Sequence, residues 1–139
     1  MNNGRFPISL HILTLLASDD NGLKSSDYLA GSININPVLV RKELSNLRKH
    51  GIIESKEGKN GGATLARPAG KILLSEVYHA VQQSSLLGNS KNKPNPECPI
   101  GRQINQHLDN LYDELEGVLL QKLADMTLED FVKQFDNKD

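Results

Sequence analysis

The stretch from Asn36 to Pro68 limits the fold more than any other part of this 139-residue chain. It opens on Asn36-Pro37, a good helix-capping residue followed by proline, whose missing N–H costs nothing in a first turn. A helix is expected from there to about His50, where Gly51 supplies a stop. Within it Val40, Leu44 and Leu47 stand at i, i+4 and i+7 and form one apolar stripe. Val38, Arg41, Lys42, Ser45, Arg48 and Lys49 share another face, basic and rich in hydrogen-bonding groups. Alone, that face reads as recognition or as an ordinary solvated helix surface with equal weight.

The next residues favour recognition. Ile52–Lys56 reads as a strand, Glu57-Gly58-Lys59-Asn60-Gly61-Gly62 as a glycine- and lysine-rich turn, and Ala63–Arg67 as a returning strand stopped by Pro68. A short hairpin with a basic tip directly behind a basic helix is the pattern of a winged helix-turn-helix. In that arrangement the helix offers side chains to the major groove and the wing approaches backbone or minor groove. A phosphate-binding loop is excluded, because no strand-to-helix passage ending in Gly-Lys-Ser/Thr is present.

The flanking segments complete the unit. Phe6 to Ser18 is dense in apolar residues and predicts a mostly buried helix, ended by Asp19-Asp20-Asn21-Gly22. Ser25 and Ser26 can cap a short helix with Leu29, Ala30 and Ile33 inward, and Asn34-Ile35-Asn36 makes a tight connection. Ser75 can cap a further helix to about Gln83 that buries Leu74, Val77, Ala80 and Val81. Residues 84–96 read as a polar, flexible loop.

A long helix is expected from Pro99 to Ala124, roughly 39 Å at about 1.5 Å per residue. Ile104, Leu108, Leu111, Leu115 and Val118 recur along it at alternating spacings of four and three, and the seam then shifts to Leu119 and Leu123. A small winged domain cannot cover a stripe that long, so it predicts a dimerisation helix, with an intramolecular core helix as the alternative. Thr127 and Asp130 form a capping-box pattern for a last short helix using Leu128, Phe131, Val132 and Phe135. The expected class is therefore mainly α with a small β-hairpin wing. The expected divisions are a DNA-binding domain over 1–83, a variable loop over 84–98, and dimerisation and C-terminal helices over 99–139.

Charge supports this division. Residues 1–71 hold ten Lys/Arg against six Asp/Glu, a net of +4, and residues 72–139 hold six against eleven, a net of −5, which together give the overall −1. A basic first half suits nucleic acid, and the acidic half must face elsewhere. No apolar run approaches the roughly 20 residues of a bilayer span, and no secretion pattern stands at the N-terminus. A single cysteine forms no internal disulfide, which adds to the expectation of a cytoplasmic protein. His11, His50, His79 and His107 are scattered, without metal-ligand spacing and without any nucleophile–base arrangement, so neither a metal site nor an enzyme is expected.

With these parts assembled, the chain resembles the Rrf2 superfamily of bacterial winged-helix regulators, the group of IscR, NsrR and CymR. The resemblance spans nearly the whole chain and is most specific from Leu39 to Val81, with the Leu-x-x-Leu-Arg-x-x-Gly pattern, the Gly-x-x-Gly-Gly wing and the Leu-Ala-Arg-Pro exit. It implies homodimers that bind palindromic promoter DNA and mostly repress. Cluster-binding members hold an iron–sulfur centre through three cysteines before the long helix. Here only Cys98 stands there, with His107 as a conceivable assistant, so no cluster is expected. Many relatives also carry arginine in the wing where this chain has Glu57, an acid that disfavours minor-groove insertion unless Lys56 and Lys59 compensate.

Resemblance and helix spacing together nominate Asn36, Val38, Arg41, Lys42 and Ser45 for base edges, with Arg41 the candidate for a bidentate guanine contact. Ser25, Ser26, Lys49, Lys56, Lys59, Asn60 and Gly61 are nominated for phosphates, against the alternative of solvated bystanders. Cys98, before Pro99, is expected at the long helix's N-cap, where unpaired amides favour a reactive thiol. It reads either as a redox sensor or as an inert, partly buried thiol. The competing function is a winged helix that binds protein, such as a metabolic enzyme reporting nutrient state. The resemblance implies that the loop over 84–98 is the effector or sensor segment, and its residues here are divergent.

Overall fold

The computed structural model describes residues 4–18, 22–82 and 87–135. It holds, in chain order, α1 (Arg5–Ala17), α2 (Ser26–Ile33), α3 (Pro37–Lys49), β1 (Ile53–Lys56), β2 (Gly62–Leu65), a turn of 3-10 helix (Ala69–Lys71), α4 (Leu74–Val81), α5 (Pro99–Ala124) and α6 (Leu128–Val132). This is the winged helix-turn-helix with a long C-terminal helix that the residue pattern predicts.

The core sits beneath α1. Ile12, Leu13, Leu29, Val40, Leu47, Ile52, Ile53, Ile72, Val77 and Leu128 are buried, and every element contributes a buried apolar side chain or packs upon the core, α5 only through Leu123. Burying each such side chain contributes about 1.5–3 kcal/mol relative to leaving it exposed. Ser25 caps α2 by accepting from the Tyr28 N–H at 3.1 Å, leaving Ser26 as the first helical residue. Asn34 turns the chain between α2 and α3 with φ +64°, a left-handed conformation that asparagine tolerates. Asn36 then caps α3 through its side-chain oxygen, which accepts from the Val38 N–H at 2.8 Å.

β1 and β2 pair antiparallel, Ile53 opposite Leu65 and Lys56 opposite Gly62. Each strand lies within a residue or two of its expected span. A third piece of backbone joins them: Lys24 N–H donates to the Ala63 carbonyl at 3.0 Å and Ala63 N–H returns to Lys24 at 2.9 Å. This ties the wing's base to the segment before α2.

Three local expectations are corrected. Ser75 does not cap α4; the helix starts from Leu73, whose N–H donates to the Glu76 carboxylate at 3.1 Å, and it ends at Val81. The expected terminus at Gln83, and residues 84–86 of the following loop, lie outside the described residues. Phe135 is not part of α6 and is half exposed, though its ring meets Phe131 edge-on. On α3 the inner face is not a pure apolar stripe: Leu44 is only partly buried, and Glu43 is buried beside Val40 and Leu47.

α5 and α6 form as expected. Cys98 caps α5, its sulfur accepting from the Gly101 N–H at 3.4 Å. Thr127 and Asp130 complete a reciprocal capping box for α6, with both bonds at 3.0 Å. Leu73 and Thr127 form an isolated bridge that holds the start of α6 against the start of α4. None of the 26 residues of α5 is buried. Its C-terminal part leans on the domain through Leu123, while Ile100, Ile104, Leu111, Leu115 and Val118 remain exposed, Ile100 and Val118 by 70%.

Candidate nucleic-acid interface

The exposed face of α3 and the inner side of the wing enclose one groove of about 480 Å³. Arg41, Ser45 and Arg48 line it from α3, and Lys56, Lys59 and Gly61 line it from the wing. Ser25 and Ser26, from the start of α2, close the same groove. Seven of the nominated residues, from three separate segments, therefore meet on one surface: Ser25, Ser26, Arg41, Ser45, Lys56, Lys59 and Gly61. Arg48, which the residue pattern put on the basic face without a role, lines the groove as well.

The remaining nominees lie beside it. Val38, Lys42 and Lys49 are exposed on α3, Val38 by 58%, and Asn60 is exposed in the wing turn. Asn36 sits at the head of α3, but its side-chain oxygen is committed to the helix cap, so a structural role stands beside any contact with a base.

Electrostatics favour an anionic ligand. Arg41, Arg48, Lys56 and Lys59 line the groove, and Glu57 is its single acid. The acid nearest to them on α3, Glu43, faces inward and is paired with Arg5, so it does not offset the exposed cations. Four cations around one cleft, with serine hydroxyls between them, can hold phosphate oxygens.

The wing glycines serve the fold directly. A Cβ on Gly61 would stand 2.0 Å from the Lys56 carbonyl oxygen, and one on Gly62 would stand 2.5 Å from the Lys24 carbonyl. These glycines let the hairpin close on itself and on the segment before α2. Glycine spacing in the sequence shows the turn but not these neighbours.

Behind the wing, Arg67 binds Glu76 at 2.6 Å and donates to the Lys71 carbonyl at 2.8 Å. The hydrogen bond from Arg67 is the main reason the Glu76 carboxyl lies below its usual range, with the Leu73 N–H adding to it. On α4, burial and then the neighbouring Glu116 carboxylate of α5 push the Tyr78 phenol above its ordinary value. Gln82 donates to the same Glu116, which makes this carboxylate the polar link between α4 and α5.

The sequence and fold match those of known regulators. Residues 3–134 match the Rrf2 family, described as "Iron-dependent Transcriptional regulator". The chain belongs to the Rrf2 family of transcriptional regulators. YwnA of Bacillus subtilis is 38% identical over 130 residues, covering 94% of this chain and 96% of YwnA. The HTH-type transcriptional regulator IscR of Xenorhabdus nematophila is 27% identical over 132 residues, covering 95% of this chain and 77% of IscR. Among solved structures, the global cysteine regulator CymR of B. subtilis superposes with a TM-score of 0.68 over 98% of both chains, at 20% identity, a likeness of fold. Both the fold and the relatives are those of transcriptional regulators rather than enzymes. No helix among the described residues is long and apolar enough to cross a membrane.

The family description as iron-dependent finds no matching donor set among the described residues. Cys98 is the chain's single cysteine, exposed at the head of α5. Among the described residues no three His, Cys, Asp or Glu side chains stand close enough together to hold a metal ion. A cluster that ordinarily takes four protein ligands has one thiolate to meet it. The exposure of Cys98 also departs from the reading of it as a partly buried thiol.

Proposed function

We propose that this Rrf2 protein is a homodimeric, sequence-specific DNA-binding repressor of the cytoplasm, reading palindromic promoter sites without an iron–sulfur cluster. The groove between α3 and the wing carries this reading, because it gathers Arg41, Ser45, Arg48, Lys56 and Lys59 from two elements beside Ser25 and Ser26. In this reading α3 enters the major groove and the wing lysines lie along the backbone. Val38, Lys42, Ser45 and the Asn36 head of α3 accompany Arg41 at base edges. Ser25, Ser26, Lys49, Lys56, Lys59, Asn60 and Gly61 meet phosphates. A protein-docking role for this face is less suited to its cations, since protein interface cores are depleted in charge.

Dimerisation rests on the uncovered apolar stripe of α5. Ile104, Leu111, Leu115 and Val118 are exposed in the single chain, with Leu108 and Leu119 partly covered. A second copy laying its α5 along this stripe removes that surface from water and sets two α3 helices about a two-fold axis. Reversing Arg41 and Lys42 to Glu together tests the assignment by fluorescence anisotropy and light scattering. The expected result is loss of DNA binding with the dimer intact. DNA binding that survives the reversal removes α3 as the reading helix.

A further inference from the structure

α3 carries one buried acid, and it is held by a residue 38 positions away. The Glu43 carboxylate accepts from Arg5 Nε at 2.9 Å and from Arg5 Nη2 at 3.1 Å, with 7% of the Glu43 side chain and 21% of the Arg5 side chain exposed. One turn along, on the same flank of the helix, the Asn46 side-chain amide donates to the Ala80 carbonyl at 2.8 Å. Ala80 lies in the last turn of α4, where carbonyls lack helical partners. The helix is thus fastened by Glu43 to α1 and by Asn46 to α4, while its opposite face lines the groove.

We infer that Glu43, with Arg5, and Asn46 are positioning residues for DNA reading: they fix the roll of α3 so that Arg41, Lys42 and Ser45 face the bases. Apolar contacts from Val40, Leu44 and Leu47 hold the helix close, but burial is non-directional and tolerates rotation. A bidentate guanidinium–carboxylate pair and an amide–carbonyl bond are directional, and two of them one turn apart define a rotation. Stability alone does not account for the ion pair, since apolar residues of similar volume commonly serve a buried site as well or better. Arg5 further cancels a negative charge on the very helix that must approach phosphates. The inference rests on α3 being the reading helix.

The test is the double substitution Arg5→Met with Glu43→Leu, which keeps net charge and volume while removing the directional pair. Affinities for the protein's own upstream duplex and for a scrambled duplex are measured across salt concentrations, alongside thermal unfolding and light scattering. The expected double variant is folded and dimeric with an unchanged salt slope. Its preference for the upstream duplex falls roughly tenfold to a hundredfold, the range for losing one good base contact or more. A folded double variant with wild-type preference overturns the inference while leaving the DNA-reading assignment standing. A wild-type protein that shows no preference overturns both. Should the double variant not fold, Glu43→Gln serves instead: a severalfold loss of preference is expected, and wild-type preference overturns the inference.

Discussion

Removing Arg41 and removing Lys59 should affect DNA binding in different ways. Arg41 lies on the exposed face of α3 and lines the groove, where the proposed reading sets it at a base edge, whereas Lys59 is exposed at the tip of the wing. Arg41→Ala is expected to cost about 1–3 kcal/mol on the cognate site and to relax discrimination at one position. Lys59→Ala should weaken all duplexes alike and lower the slope of log K against log salt by about 1. Parallel anisotropy titrations on cognate and scrambled duplexes separate the two. Glu76 makes a second prediction at this scale. Its carboxyl is held below the ordinary value of 4.5, chiefly by the hydrogen bond from Arg67. A group with a lowered folded pKa contributes stability above its unfolded value, and that contribution fades as pH falls through the lowered one. Glu76→Gln should therefore reduce thermal stability at neutral pH and flatten the decline below about pH 4.5. Equal acid sensitivity in the variant and the parent contradicts this.

Elements differ in how far local residues announce them. α5 runs from Pro99 to Ala124 as the stripe and the Cys98-Pro99 start predict, and α6 begins on its Thr127–Asp130 box. Both rest on signals within a few residues, so both were legible. The start of α4 was not: Ser75 is a good capping residue, but Glu76 reaches back to the Leu73 N–H and moves the cap two residues earlier. Long-range pairings leave no periodicity. Lys24 joining Ala63, Leu73 facing Thr127, and Arg5 reaching Glu43 each connect segments far apart in sequence. The groove was legible residue by residue, because its cations follow helical and hairpin spacing. The burial of Glu43 was not, since an acid three residues after Val40 reads equally well as solvated. The exposed stripe of α5 supports a prediction of its own. Leu111→Glu with Leu115→Glu places charge on the uncovered face without touching the enclosed core. The expected result by light scattering is a folded monomer with strongly weakened DNA binding; a dimer that persists moves the interface elsewhere.

Across the whole chain, charge and apolar surface are unevenly divided. Residues 1–71 carry +4 and contain the cationic groove, while residues 72–139 carry −5 and contain the long helix with its uncovered stripe. In the proposed reading the acidic half keeps nucleic acid to one side, and a second copy covers the stripe that the domain leaves exposed. A two-fold dimer built on that stripe carries two grooves, and two grooves require two half-sites in inverted orientation. Discrimination between sequences follows from base contacts, and overall affinity from phosphates. The measurement that tests this most directly is anisotropy of the purified protein on its own upstream duplex and on a scrambled duplex of equal composition, at several salt concentrations. The expected outcome is salt-sensitive binding to both, with the upstream duplex preferred by at least about a thousandfold and bound by one dimer. Equal affinity for the two duplexes would contradict sequence-specific regulation by this groove.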